Sequence, residues 1–489
     1  MKPLRVAILH YHLRGGGVTR IIEHTFQALQ EEPIELCVIT GETAPKDFSI
    51  PKSKIGVVKG LSYGKKNSPR EAKALFGDIR SKASQLLGGE PDLWHIHNHS
   101  LGKNAEATKA FLHLAKQKQP VLFHIHDFAE DNRAENYQYL SKGKDDSSNK
   151  RLIEILYPQA PHVHYAVLNG RDQKYLREAG FYAENLHLLS NPVNLMVNRQ
   201  DNQKSDHAEK LILYPCRVIP RKNIGEFLLW AALAKKKEHF AVTLAPKNEK
   251  YRSGYNDWVN FASKHKLPVT FEAGDKLGMT FPELLQRADA FMSTSIAEGF
   301  GLIYLESWLA ERPLLGRILP DIVADFKNKG IAFPGMYSQL KIPVSWIGEE
   351  QLKDRFGMSI TQNFEKYGLK IDAQLLQDWF AVLLADDQVD FGKLDPEYQQ
   401  KVIEKVIGNP KLRAEILPPN LTETEPSHDT IKSNKKRVEQ EFSLSKYGDR
   451  LAELYKQIEK NKAGSLEYIN AKSLLHKFQS PQNFSLLRS

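Results

Sequence analysis

Cysteine is nearly absent from this chain of 489 residues: Cys37 and Cys216 are the only two, and both lie in apolar, strand-like runs. A disulfide framework and a CxxC zinc site are thereby excluded, and a reducing, cytoplasmic setting is expected. No window approaches the roughly 18 consecutive apolar residues that cross a bilayer, and the opening MKPLRVAILHYHL has too short an apolar run for a signal peptide. No integral membrane segment is expected. The basic stretches PKSKIGVVKGLSYGKK (51–66) and KSNKKR (432–437) lack the interleaved aromatics of a nucleic-acid stacking platform, so nucleic acid is not expected as a partner. Both stretches read as solvated loops, with peripheral contact to an anionic membrane surface left open. What is present is an ordinary globular composition, 41% hydrophobic, enough for two large domains or three smaller ones, with a net charge of +9 that suits an anionic partner.

Hydrophobic patterning organises the chain into two similar halves. Residues 4–13 predict a buried strand, 18–30 an amphipathic helix and 34–40 a second strand; apolar runs at 92–96, 120–126 and 163–168 alternate with helical segments at 70–87 and 104–117. This is a βαβ series with a parallel sheet. The polar stretch NRQDNQKSDHAEK (198–210) reads as a linker. The alternation then restarts, with strands at 211–215, 240–245, 268–272 and 289–293 and helices at 223–236, 255–265, 280–287 and 301–311. The expected fold is α/β: two doubly wound Rossmann-like domains, 1–197 and 211–440, facing a central cleft, with ligands beyond the carboxyl ends of the strands. A helical insertion is expected from about residue 345, a polar loop at 418–436, and C-terminal helices at 441–489 packing back on the cleft side, led by the amphipathic stretch 442–460.

Between Ser293 and Pro313, STSIAEGFGLIYLESWLAERP keeps two acids, Glu298 and Glu306, in an otherwise apolar run. Eight residues correspond to about 80° around a helix, so a single helix would not align them. Gly299 and Gly301 predict instead a loop carrying Glu298, then a helix from about residue 301 with Glu306 in its second turn. Such a loop approaches a ligand closely, the helix N–H groups serve as donors, and each carboxylate accepts from hydroxyls, including both hydroxyls of one vicinal diol. A buried helix with an acid favoured by its dipole is the bland alternative.

EGFGLIYLE (298–306) matches an E-x7-E signature, and through it the sequence resembles the retaining glycosyltransferases of the GT-B fold, family 4 in particular. The resemblance implies that Glu298 contacts the donor sugar, that the backbone of Gly299, Phe300, Gly301 and Leu302 meets sugar hydroxyls or the diphosphate, and that Glu306 accepts from the nucleoside ribose. Upstream, Arg217 and Lys222 flank a tight Val-Ile-Pro-Arg turn after a strand, where two cations can converge on one phosphate group; their spacing resembles the family's diphosphate clamp. Asn223 stands where the family usually has glycine. LHYHLRGGGVTRII (9–22) resembles the first-domain glycine loop, so Gly16 and Gly17 are expected to approach the donor phosphate or the acceptor. LSNPVN (189–194) and ERPLLGRILPDI (311–322) resemble family segments with departures, Pro192 for a glycine and no Gly-Gly-x-x-Glu.

His-x-His recurs in HYH (10–12), HIHNH (95–99), HIHD (124–127) and HVH (162–164), always in or at the end of a strand-like run, so nine of 17 histidines are expected near one rim. They share no tight loop and have no cysteine nearby, so no metal is expected; inward-facing His95 and His124 read as core residues. His12, His97, Asn98, His99, Asn104 and Asp127 are the acceptor-binding candidates, and His126 resembles the family's histidine beside the donor sugar.

These readings describe a retaining hexosyltransferase that moves a sugar from a nucleotide diphosphate donor to a hydroxyl of a small, anionic acceptor, without a resident cofactor or metal; KDDSSNK (144–150) reads as a surface loop. The family's front-face substitution assigns catalysis to His126, Glu298, Arg217 and Lys222, with no enzyme nucleophile. A disaccharide phosphorylase or synthase on the same fold is the near alternative. An NAD-dependent oxidoreductase, with Glu42 as its ribose acid, and a silent carbohydrate-binding protein are the distant ones. Oligomeric state is left open.

Overall fold

The alternation of apolar runs and helical stretches folds as two separately wound units, described by a computed structural model over residues 2–64, 71–144, 150–195, 209–416, 418 and 425–489. Unit 1 comprises Met1–Pro192 with Phe442–Gln479, and unit 2 comprises Val193–Glu441 with Ser480–Ser489.

Unit 1 contains β1 (Leu4–Leu9), β2 (Ile34–Thr40), β3 (Ile55–Val57), β4 (Leu93–His97), β5 (Val121–Ile125), a two-residue β6 (Pro158–Gln159), β7 (Val163–Val167) and β8 (Leu186–Leu188). All except β6 form one sheet in the order 3-2-1-4-5-7-8. Its neighbouring strands are all parallel. Between them run α1 (Gly17–Ala28), α2 (Ala72–Leu87), α3 (Ala105–Lys116), α4 (Ala134–Lys142) and α5 (Gly170–Glu178). Every residue of β4, β5 and β7 is buried, as helices on both faces of a parallel sheet require. The expected strand 4–13 stops at Leu9: the His10 N–H still reaches Ile39 O at 3.1 Å, but the chain then leaves the ladder toward the glycines. The stretch 51–64, read as a loop, contributes the edge strand β3.

Unit 2 repeats the design with β9 (Lys210–Arg217), β10 (Glu238–Leu244), β11 (Val269–Thr270), β12 (Ala290–Ser293) and β13 (Leu314–Gly316), again all parallel. Their order is 11-10-9-12-13. Its helices are α6 (Ile224–Ala232), α7 (Arg252–Lys264), α8 (Ala273–Leu277), α9 (Phe281–Arg287), α10 (Ile303–Leu309) and α11 (Pro320–Asn328). A short antiparallel pair, β14 (Lys341–Pro343) with β15 (Gln388–Asp390), brackets α12 (Glu349–Lys366) and α13 (Ala373–Leu383), and α14 (Pro396–Gly408) and α15 (His428–Glu441) follow.

The polar loop expected at 418–436 is helical from His428 onward. Within it, KSNKKR is not a solvated loop: Asn434 is buried and exchanges hydrogen bonds with the backbone of Ala332, and Lys435 pairs with Glu311. Those partners are distant in sequence, which is why local polarity misread the segment. Residues 198–208 of the expected linker, Lys65 and Lys66, and 145–149 lie outside the described residues; Lys210 opens β9.

The amphipathic stretch at 442–460 becomes α16 (Leu444–Lys460), which lays Tyr447, Leu451, Tyr455 and Ile458 into the unit 1 core beside Ile21, Ile22 and Leu29. Two hydroxyls on that face are satisfied inside, Tyr447 by Thr25 Oγ1 at 2.9 Å and Tyr455 by His95 Nδ1 at 2.6 Å. β16 (Glu467–Tyr468) then pairs with β6, and α17 (Ala471–Phe478) ends the unit 1 return. The last residues rejoin unit 2, where half-buried Lys393 donates to the carbonyls of Gln482 (2.7 Å) and Phe484 (2.6 Å).

In both sheets the strand order reverses once near the middle, between β1 and β4 and between β9 and β12. Loops leaving the carboxyl ends at such a switch point diverge and open a crevice.

Candidate active site

In unit 2 those loops are 218–223 after β9 and 294–302 after β12. The first holds a single turn of 3-10 helix, Pro220–Lys222, and ends at Asn223 with φ 50° and ψ 56°. This left-handed geometry suits glycine first and asparagine next, which accounts for asparagine at a position where glycine was expected. The side chain adds bonds glycine lacks: Nδ2 donates to Glu226 Oε2 at 2.7 Å and Oδ1 accepts from Gln399 Nε2 at 2.8 Å. Asn223→Ala is expected to destabilise by about 2–4 kcal/mol in urea unfolding, because left-handed strain adds to lost buried hydrogen bonds. Asn223→Gly, free of the strain, is expected to lose less.

The second loop is stitched to the first. Ile296 N–H donates to Arg221 O at 2.9 Å, Thr294 Oγ1 to Lys222 O at 3.0 Å, and the Tyr214 hydroxyl lies 3.2 Å from Lys222 O and 2.6 Å from Ser295 Oγ. Glu298 sits at the junction. Its Oε1 accepts from Ser295 Oγ at 2.6 Å and from Lys222 Nζ, and its Oε2 accepts from Arg221 Nη1, which also reaches Ala297 O at 2.8 Å. Burial pushes the carboxyl pKa up, but the attraction of Arg221 and Lys222 and the bonds from Lys222 and Ser295 outweigh it and hold the group at about 2. The stability this ionised group contributes is full above the ordinary carboxylate range and is lost as pH falls from there through about 2.

Arg217 and Lys222, expected to converge on a phosphate, differ in their surroundings inside the chain. Arg217 ends β9 in register with Leu244 and forms no ion pair among the described residues, whereas Arg221 joins Lys222 on Glu298. A 3-10 turn brings the side chains of two adjacent residues onto the two oxygens of one acid, a geometry the spacing of Arg217 and Lys222 did not disclose. Ser295 and Tyr214 were likewise missed.

Glu306, half-buried, falls in the first turn of α10 rather than the second, since the helix begins at Ile303. Gly301 has φ +85°, and a Cβ there would lie 2.6 Å from the Tyr304 ring, so the fold itself demands glycine. The Phe300 side chain is buried edge-on to Phe326 at 5.4 Å and packs the core, leaving its backbone to the loop. Gly299 and Leu302 are only half-buried.

In unit 1 the glycine run Gly15–Gly17 lies after β1 and is exposed. None of the three has positive φ, and an added Cβ would meet nothing within 4 Å at Gly15 or Gly17 and only Arg14 O, at 3.8 Å, at Gly16. Neither strain nor packing inside the chain calls for glycine here. Beside it, Glu42 accepts two hydrogen bonds from the Arg14 guanidinium, so the acid that an NAD site would aim at ribose is already engaged.

The histidines separate into groups instead of sharing one rim. His10, His12, His95, His97, His124 and His126 form a contiguous set of rings, with His95 Nε2 to His124 Nδ1 at 3.1 Å and His97 Nδ1 to His126 Nε2 at 2.8 Å. His99 stacks on Phe123 at 4.0 Å, and His162 and His164 bond to Ala115 O and to His187. His95, His97 and His124 are the one set among the described residues with nitrogens close enough for a metal, within 4.8 Å of one another. In this structure they are buried; His95 and His124 bond each other, while His97 Nε2 and His124 Nε2 have no partner.

Burial holds all of these imidazoles neutral, His95 at about 3 and His126 at about 4. Unfolding exposes them to protonation, so stability is expected to be full above about pH 6.5, the ordinary histidine value, and to fall progressively toward pH 4, read as melting temperature against pH.

The acceptor candidates are redistributed by these contacts. His97, Asn98, His99 and Asn104 are buried and internally bonded: Asn98 Oδ1 accepts from the N–H of His126 (2.7 Å) and Asp127 (3.1 Å), and Asn104 caps α3 while donating to Gly60 O and Ser62 O. They shape the loops and do not line a surface. His12 and Asp127 remain partly exposed, and His126 reaches solvent with 8% of its surface.

Two Rossmann-like units with loops of this kind define the GT-B class. The Anabaena protein HepE, solved in complex with UDP and glucose, is similar over 93% of this chain and 99% of that one, with 12% identity and a TM-score of 0.54. Sucrose-phosphate synthase from Thermosynechococcus elongatus is similar over 93% and 99%, with 14% identity and a TM-score of 0.53. Residues 15–196 match the family model of Glycosyltransferase Family 4. In sequence, the mannosylglucosyl-3-phosphoglycerate synthase of Petrotoga mobilis is 28% identical over 430 residues, 81% of this chain and 79% of that protein. The chain is thus recognised as a GT-B protein resembling the family 4 glycosyltransferases.

Proposed function

We propose that the protein is a retaining glycosyltransferase that moves a hexose from a nucleotide diphosphate sugar to a hydroxyl of a small anionic acceptor in the cytoplasm. The observation that carries this reading is the convergence of Arg221, Lys222 and Ser295 on Glu298 at the sheet's switch point. A single loop junction there offers cations for a diphosphate and a carboxylate for sugar hydroxyls. Glu306, on the following helix, is assigned to the ribose. The relative named for a phosphoglycerate product and the neighbour solved with UDP and glucose support the same chemistry.

In the reaction as proposed, the anomeric carbon–oxygen bond to the diphosphate breaks and a bond to the acceptor oxygen forms on the same face. The departing phosphate oxygen takes the acceptor's proton. Lys222, Arg221 and Arg217 stabilise the charge growing on the leaving group, an effect often worth about 3–4 kcal/mol per donor, and no metal is assigned. Glu298 orients the sugar. His126, neutral near pH 7, is placed beside the sugar as a hydrogen-bonding group and not as a cation. Gly16 and Gly17 allow close approach of phosphate or acceptor.

Thermal-shift screening with UDP-, GDP- and ADP-sugars is expected to give one clear stabilisation, about 2.7 kcal/mol at 100 times the dissociation constant. Proton NMR of the product should then show the donor's anomeric configuration. Transfer that inverts it, or that requires inorganic phosphate in place of a nucleotide, would overturn the reading.

A further inference from the structure

Glu298 is ionised and accepts hydrogen bonds without donating any, which fixes the direction of the bonds around it. The Ser295 hydroxyl, 2.6 Å from Oε1, therefore donates to it, and the serine oxygen is left to accept. The Tyr214 hydroxyl supplies that bond from 2.6 Å. Its other neighbour, Lys222 O, is farther away at 3.2 Å and already receives Thr294 Oγ1 at 3.0 Å. Burial raises the Tyr214 phenol well above its ordinary pKa, so it stays protonated and remains a donor. The result is a one-way chain from Tyr214 through Ser295 to Glu298, in which each bond polarises the next. Both hydroxyl residues are fully buried. Tyr214 lies in β9, at the middle of the unit 2 sheet, with its ring 5.7 Å from that of Phe227 in α6.

We infer that Ser295 and Tyr214 are positioning residues, which occupy one oxygen of Glu298 and so leave the other, Oε2, to accept from a hydroxyl of the donor sugar; this role rests on the proposed assignment of Glu298 to that sugar. Each carboxylate oxygen offers two lone-pair sites. Both sites of Oε1 are taken, by Ser295 and Lys222. Oε2 accepts from Arg221 Nη1 and, among the described residues, from no other donor, so one of its sites is open. Cations alone would hold the acid loosely. The Lys222 ammonium is a point charge with rotatable donors, and the Arg221 side chain is 37% exposed. A hydroxyl anchored through Tyr214 to the central strand fixes the plane of the carboxylate, and with it the direction of the open site.

Titration calorimetry of the full chain tests this, with two probes: the UDP-, GDP- or ADP-hexose that gives the largest thermal shift, and the matching nucleoside diphosphate. Ser295→Ala should weaken binding of the hexose donor about tenfold, one charge-assisted bond's worth, and leave the diphosphate within about twofold. Tyr214→Phe, which keeps the ring, should weaken the hexose donor about threefold with the same selectivity, and carries the test alone if Ser295→Ala does not fold. The double variant should bind the donor no more weakly than Ser295→Ala, because Tyr214 acts through Ser295. A packing role gives another pattern, in which donor and diphosphate weaken together and the two losses multiply; that result overturns the inference, as does donor affinity unchanged in both single variants. In either case a parent that binds the hexose donor keeps the donor reading. A parent that binds neither probe overturns the proposed function and this role with it.

Discussion

Glu298→Gln is expected to slow sugar transfer by about 100- to 1,000-fold while nucleoside diphosphate binding is kept or strengthened. The carboxylate takes up the charge of both Arg221 and Lys222 and accepts from Ser295. Glutamine keeps the volume and one acceptor oxygen but removes the charge, which frees two cations for a diphosphate and deprives the sugar of its strongest acceptor. A structural role alone gives a different pattern: nucleotide affinity, turnover and melting temperature would all fall together. Turnover, calorimetric affinity and melting temperature on the same preparation separate the two, and unchanged turnover would remove Glu298 from the chemistry.

Arg317→Met is expected to destabilise unit 2 by about 3–5 kcal/mol in denaturant unfolding. Arg317 is 2% exposed and donates to Glu226 at 3.0 and 2.6 Å, to Asp390 at 2.9 and 2.6 Å and to Ser338 O at 2.8 Å. Glu226 also accepts from the Tyr337 hydroxyl at 2.8 Å. Without the guanidinium, two buried carboxylates face each other and lose the cation bonded to both. Replacing all three charges by apolar groups of similar size is expected to recover much of the loss, because the desolvation cost disappears together with the attraction. A loss below about 1 kcal/mol for Arg317→Met alone would show that the network is wetter than its burial indicates.

Arg317 lies in the segment 311–322, where the sequence departs from the pattern it otherwise resembles. The structure gives that departure a physical content: this loop's cation is spent inside the unit, on acids from α6 and β15 that lie 91 and 73 residues away. Lys222 and Glu298 were legible because each sits in a short, recognisable pattern next to a strand end. Arg221 was adjacent to one of them and still went unread, since its partner depends on how a 3-10 turn is aimed across to another loop. Asn98 and Asn104 failed in the opposite sense. Polar residues in a loop after a strand look available for ligands, yet both are consumed in holding the loop's own backbone, where an unpaired buried N–H or C=O costs more than a surface contact returns.

The sequence by itself determined the alternation of strand and helix, the doubling of that pattern, and the placement of glycines and acids at strand ends. All of these are local, set by periodicity of 2 and 3.6 residues and by the backbone freedom of glycine. Only the tertiary structure decided which polar side chains face each other: Glu298 with Arg221, His95 with Tyr455, and Arg317 with Glu226 and Asp390. Electrostatic attraction and desolvation depend on distance and burial in space, and neither is encoded in separation along the chain.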